Sequence, residues 1–153
     1  MSWQVWQWWQ PTIRLSGRID ALQAPLLTPY GIQGLILDVD DTIVDRWSRA
    51  IPTEILSWFA TMQPQFQMWL VSNNTSRQRI HAIAEQVQLP YIHGAGKPSR
   101  RALRQAVTAM KLQPTQVAMV GDRLLTDILA GNRLGLITVW VEPIRAKPLL
   151  LRI

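Results

Sequence analysis

Cysteine is absent from the 153 residues, which excludes disulfides, thiolate nucleophiles and cysteine-ligated metals and fits, without requiring, a reducing compartment. Long apolar runs are missing too: no stretch reaches the ~18 to 20 residues that a membrane-spanning helix needs. The opening MSWQVWQWWQ lacks a basic segment followed by an apolar core, so it does not read as a secretory leader. The expectation is a cytoplasmic protein, or one lying peripherally on a membrane. Acidic residues are few, ten against sixteen Lys and Arg for a net charge of +6. Five of them (Asp38, Asp40, Asp41, Asp122 and Asp127) fall in two short segments. Away from those segments the surface is cationic, which either serves solubility alone or favours polyanions such as nucleic acid, anionic lipid or phosphorylated ligands. The length suits one domain, and there is neither an internal repeat nor a low-complexity linker.

The stretch that organises the chain is Gly34 to Thr42, GLILDVDDT. Leu35, Ile36 and Leu37 form an apolar run of the kind that becomes a strand buried on both faces, and it ends abruptly in Asp38, Asp40 and Asp41. Residues two apart on a strand point the same way, so Asp38 and Asp40 share a face if the strand stays regular. Crowded carboxylates raise one another's pKa or recruit a cation, and folding alone seldom explains them.

Residues 1–33 read as a separate arm, packed on or beside a domain formed by 34–153. Trp3, Trp6, Trp8 and Trp9 stand among glutamines, followed by a sparse apolar pattern from Ile13 to Leu27. Tryptophan favours either a buried seat or the headgroup zone of a bilayer, and both readings of the arm stand. Beyond Thr42, Pro52 fits the first turn of a helix, and Ile55, Phe59 and Met62 repeat at helical spacing. Phe66–Val71 is a second strand ending in Ser72, Asn73, Asn74 and Thr75 at the start of another helix, where N–H groups and a dipole end could seat phosphate. Leu89–Ile92 is a third strand leading to Lys97, and Pro98 opens a helix. Val117–Val120 is a fourth, followed by Gly121, Asp122 and, on a helix expected over Leu124–Leu134, Asp127. Ile137–Val141 is the fifth. Alternating strands and helices predict a three-layer α/β/α fold around a parallel sheet of about five strands in the order 3-2-1-4-5. The candidate residues all follow strands, so they gather at the carboxyl edge, where such sheets bind ligands.

This edge has the parts for phosphoryl transfer. Asp38 could attack phosphorus, Asp40 could protonate the leaving alkoxide and later activate water, and Lys97 with Ser72 and Asn73 could hold phosphate. A hard cation on Asp38 and Asp122 would let a carboxylate approach an anionic substrate, and oxygen ligands without cysteine favour Mg²⁺.

At this point the chain resembles the haloacid dehalogenase (HAD) superfamily of phosphohydrolases. Asp38–Thr42 looks like its DxDxT motif, Ser72 like its hydroxyl residue after the second strand, Lys97 like its lysine, and Gly121–Asp127 like its GDxxxxD. The resemblance implies an aspartyl-phosphate at Asp38, Asp40 as acid and base, and Mg²⁺ on Asp38, Asp122 and the Asp40 backbone carbonyl, with Thr42 in support and Asp127 nearby. A response-regulator receiver would place its phosphorylated aspartate after the third strand, where this chain has none. The intervals Thr42–Ser72 and Ser72–Lys97 each hold one helix and one strand, which leaves no room for a cap domain. WWQP, GIQGLILDVDDTIV, VSNN, GKP and GDRLLTDILAGN are similar to the YqeG-type phosphatidylglycerophosphate phosphatases. That resemblance implies a phospholipid phosphomonoester substrate, an anionic membrane surface as partner and no nucleic acid. The alternatives are a HAD phosphatase of nucleic-acid ends or phosphoproteins, and a catalytically silent phosphate-binding module.

Overall fold

The computed structural model describes residues 7–153. Trp3 and Trp6 lie outside them. The fold is built around β2 (Gly34–Leu37), whose four residues are all buried. Its parallel neighbours are β3 (Gln67–Val71) on one side and β5 (Val117–Gly121) on the other. β4 (Tyr91–Ile92) extends the sheet beyond β3, and β6 (Ile137–Trp140) extends it beyond β5. The five expected strands therefore run in the expected order. A sixth, β1 (Ile13–Arg14), pairs with the outer edge of β6, so the sheet reads β1-β6-β5-β2-β3-β4 and is parallel throughout. Two residues are too few for a periodic signal; β1 is defined by its partner, and Leu15 N–H continues the ladder to the Trp140 carbonyl at 2.9 Å.

Alternation along the strands makes the two covering layers. Leu35 and Leu37 of β2, with Ala118 and Val120 of β5, face a core closed by α2 (Thr53–Met62) and α3 (Arg77–Val87). Ile36, Val117 and Met119 face the other side, closed by α4 (Arg101–Met110) and α5 (Leu129–Leu134). The segment before β2 contributes Ile19, Leu22 and, from the one-turn helix α1 (Ala24–Leu27), Leu27 to the first of these cores. The Trp58 indole N–H donates to the Leu22 carbonyl at 2.7 Å and pins that segment to α2. No insertion interrupts the two intervals where a cap would sit: α2 and β3 fill one, α3 and β4 the other.

Three boundaries differ from expectation. α3 starts at Arg77 with Ser76 as its N-cap, because Asn74 turns the chain first: its N–H donates to Ser72 Oγ at 3.0 Å and its Oδ1 accepts from Ser76 N–H at 2.8 Å. Ser72 and Asn73 thus sit on a loop, away from the helix terminus. α4 starts at Arg101, after a turn in which Ser99 N–H donates to the Gly96 carbonyl at 2.9 Å. Leu124–Leu134 is not uniformly α-helical: Leu124–Ile128 is a π-helical turn before α5, a widening common at functional sites.

Candidate active site

β2 ends at Leu37, and the chain then curls instead of continuing as a strand. Asp41 takes a left-handed conformation (φ 65°), and Thr42 and Ile43 N–H groups both return to the Val39 carbonyl, at 3.2 and 3.0 Å. Asp38 is buried and Asp40 is half-buried, its carboxylate turned to α3, and both line one small cavity of about 120 Å³.

Lys97 ties the interior together. Its Nζ, with the side chain 1% exposed, donates to Asp127 Oδ1 at 2.7 Å, to the Val71 carbonyl at 2.8 Å and to Asp38 Oδ1 at 2.9 Å, which uses all three ammonium hydrogens. Burial pulls its pKa down, but the Asp127 and Asp38 carboxylates outweigh burial and hold the ammonium above the ordinary lysine value. Thr42 Oγ1 lies 3.1 Å from Asp38 Oδ2 and 3.2 Å from Asp122 Oδ1, bridging the carboxylates of β2 and β5. The π turn swings Asp127 back over Gly121, where its Oδ2 accepts from Arg123 N–H at 3.2 Å. A Cβ on Gly121 would lie 2.6 Å from the Asp127 Cβ, so the glycine of this motif makes room for the aspartate six residues on.

Carboxylate oxygens of Asp38, Asp122 and Asp127 lie within 4.8 Å of one another. Burial, then Asp38 and Asp127, push the Asp122 carboxyl up to about 8; burial and Asp38, opposed by Lys97, push Asp127 up to about 6. Asp122 Oδ2 is buried and has no hydrogen-bond partner among the described residues. An unpartnered carboxylate oxygen beside two other buried carboxylates is the donor set that a hard divalent cation takes, so the residues fit such a metal. Asp38, Asp122 and Asp127 would hold it.

Ser72 Oγ accepts from Asn74 N–H, which leaves its own hydrogen to donate into the cavity. Asn73 spends its carboxamide on the Lys97 backbone, accepting from Lys97 N–H at 2.7 Å and donating to the Lys97 carbonyl at 2.9 Å. It holds the lysine loop in place, a task its position after a strand did not suggest.

Four cationic side chains around this cluster were not assigned to it from sequence. Arg79 on α3 donates to Asp40 Oδ1, and Asn74 Nδ2 donates to Asp40 Oδ2 at 3.1 Å. The second Arg79 terminal nitrogen reaches the Ser48, Asp45 and Arg46 carbonyls at 2.7, 3.3 and 3.3 Å. Arg46 pairs with buried Asp41 at 2.9 Å. Lys147 pairs with the same carboxylate and lies 3.8 Å from Asp122 Oδ2. Burial raises the Asp41 pKa, but Lys147 and Arg46 outweigh it and hold the carboxyl below its ordinary value. Arg123 lines the cavity from the β5 side. Lys147, in the apolar and basic tail IRAKPLLLRI, turns inward. The one clue was a basic residue within an apolar tail, and nothing local says that it reaches a turn 106 residues earlier.

The sequence model of the HAD-hydrolase-like family matches residues 94–143. The chain is 37% identical over 123 residues to the "Probable phosphatase YqeG" of Bacillus subtilis, an alignment covering 79% of this chain and 70% of that protein. It is 28% identical over 127 residues to the chloroplastic "Phosphatidylglycerophosphate phosphatase 1" of Chlamydomonas reinhardtii, covering 77% of this chain and 47% of that one. Among solved structures, the haloacid dehalogenase-like protein SP0104 of Streptococcus pneumoniae superposes with a TM-score of 0.60 at 11% identity, over 72% of this chain and 84% of that one. With the nucleophile loop, the lysine and the GDxxxxD carboxylates at one sheet edge, and a bacterial relative matched along most of both chains, this chain belongs to the haloacid dehalogenase superfamily of phosphatases, as a capless member akin to YqeG.

Proposed function

We propose that the chain dephosphorylates phosphatidylglycerophosphate, a phosphomonoester anchored in a bilayer, with Mg²⁺ as its cation. The observation that carries the substrate class is the open edge. With one helix and one strand in each interval, no cap domain among the described residues covers Asp38 and Asp40, so a headgroup attached to a surface can reach them. The similarity to a relative named for that substrate supports the lipid reading over other large phosphoesters.

In this reading the Asp38 carboxylate attacks phosphorus and the bond to the glycerol oxygen breaks. Asp40 gives a proton to that oxygen. It then takes one from the water that hydrolyses the aspartyl-phosphate, releasing inorganic phosphate and restoring Asp38. Ser72 donates to a nonbridging oxygen, and Lys97 screens the charge on Asp38. Mg²⁺, when bound by Asp38, Asp122 and Asp127, supplies positive charge against the phosphoryl oxygens. Arg79 and Asn74 keep Asp40 directed into the cavity.

The test is phosphate release from dispersed phosphatidylglycerophosphate, with mononucleotides and 5′-phosphorylated oligonucleotides run alongside. Turnover of the lipid is expected to dominate, to vanish with EDTA, to return with Mg²⁺ and to be lost in Asp38→Asn. Equal or faster turnover of the oligonucleotides sinks the lipid assignment.

A further inference from the structure

Beyond β6 the chain does not leave the site. Ile144 N–H donates to the Asp41 carbonyl at 2.7 Å, Arg145 pairs with Asp45 at 2.8 Å, and Lys147 pairs with Asp41. The last turn, Leu149–Arg152, is held from the other side: the Arg152 guanidinium lies 4.6 Å from the Trp140 ring centroid and reaches the Val141 carbonyl at 3.4 Å. Trp140 itself donates to the Asp122 carbonyl at 2.9 Å. Residues 144–152 are therefore a strap across the carboxyl edge of the sheet, beside the mouth of the cavity.

This strap exposes apolar side chains that cover nothing. Leu149, Leu150 and Leu151 are 61%, 78% and 58% exposed, and Ile153 is also exposed. Trp47, 80% exposed, stands on the loop that the Arg145–Asp45 pair ties to the strap. Three successive open leucines and an open tryptophan on one sheet edge are more than scattered surface apolarity. The charges around them are net positive: Arg14 and Arg152 lie by the Trp140 ring, Arg46 and Lys147 share Asp41, Arg145 pairs with Asp45, and Glu142 is the remaining acid. An apolar patch with a cationic rim complements an anionic bilayer, whose headgroups meet the arginines while the leucines enter the acyl boundary. Two tryptophans of the amino-terminal arm are placed differently. Trp8 and Trp9 precede β1, which runs parallel to β6, and the Trp8 carbonyl accepts from Asn132 of α5 at 2.7 Å. They lie toward the amino-terminal edge of the sheet, away from the cavity.

We infer that the carboxy-terminal strap, through Leu149, Leu150 and Leu151, is the surface that seats this phosphatase on an anionic phospholipid bilayer with its cavity toward the headgroups. The inference rests on the lipid-substrate reading above, and it deepens that reading by naming the surface.

The test uses the full chain and vesicles that contain no phosphomonoester. The unaltered chain should sediment with phosphatidylglycerol-rich vesicles and much less with pure phosphatidylcholine. Leu149→Ser/Leu150→Ser/Leu151→Ser should weaken that partition by about tenfold or more while hydrolysis of a small soluble phosphomonoester stays within twofold. Because the chain has no cysteine, Leu150→Cys can carry a single polarity-sensitive dye, which requires only one exposed change. Its emission should shift to the blue with anionic vesicles, and the same dye at Ala109→Cys, on an exposed α4 position, should not respond. The inference is overturned if the parent chain does not bind the vesicles, if the triple variant binds them unchanged, if the Leu150 dye is silent, or if the leucines instead hold two copies of the chain together in lipid-free solution. Hydrolysis of detergent-dispersed phosphatidylglycerophosphate without vesicle binding would remove the docking surface and keep the activity. Vesicle binding without that hydrolysis would do the reverse.

Discussion

Replacing Lys97 with Met tests whether this side chain neutralises the interior. The thioether keeps most of the volume and removes the charge. Three acceptors then lose their donor: Asp127 Oδ1, Asp38 Oδ1 and the Val71 carbonyl. Taking one partner from a buried pair costs roughly 3–5 kcal/mol. Protonation sets a ceiling on that cost, because a stranded carboxylate can take up a proton. From an ordinary value near 4, that costs about 5 kcal/mol at pH 7.5 and only about 1.5 kcal/mol at pH 5. In the variant the folded-state pKa of Asp127, freed of the lysine that opposes its rise, lies above the unfolded one, so stability is present at low pH and is lost as pH rises. Thermal unfolding followed by circular dichroism in EDTA should show Tm lowered by about 6–20 °C at pH 7.5, from roughly 2–4 °C per kcal/mol for a chain of this size. The deficit should shrink to a few degrees at pH 5. A fall below about 2 °C at pH 7.5, or one independent of pH, would refute the account of Lys97 as the buried counter-ion.

The metal-free parent chain should lose stability as pH rises from about 4 through 6 and 8, because Asp127 and Asp122 bind protons in the folded state that the unfolded chain has released. Added Mg²⁺ should raise Tm more at pH 8 than at pH 5.5, where it must displace a proton; a Tm in EDTA that climbs over this range contradicts both statements. Asp41 acts oppositely, its contribution being present above the ordinary carboxyl value and lost only on acidification below it. Gly121→Ala should cost about 1–3 kcal/mol by chemical denaturation and lower turnover, since the new methyl displaces Asp127 from Lys97. Normal activity in that variant would mean that Asp127 is not held where its bonds place it. Arg79→Gln should reduce kcat by roughly ten- to a hundredfold with KM on a soluble phosphomonoester little changed, as Asp40 loses its alignment. Arg79→Lys should recover only part, because one ammonium cannot span Asp40 and three carbonyls.

The order of the five main strands and the gathering of Asp38, Ser72, Lys97 and Asp122 at one edge were legible in the chain. The signals for them are local: an apolar run marks a strand, a helical stripe marks the crossover, and right-handed crossovers leave few arrangements. The lengths of the two intervals likewise excluded a cap, since a helix and a strand use up the thirty residues of one and the twenty-five of the other. Tertiary structure decided what the side chains do at that edge. The chain turns after Asp40 in a curl at Asp41 that Arg46 and Lys147 stabilise from the loop beyond β2 and from the strap. Whether Asn73 met phosphate or backbone depended on where the Lys97 loop passed. Asp127 joined the carboxylates because the helix expected there opens with a π turn over Gly121. Partners such as Asp41 and Lys147 stand 106 residues apart. Local preferences act over a turn or two of chain, whereas a buried charge takes whatever counter-charge the folded path brings within reach, and that path exists only once the core has closed.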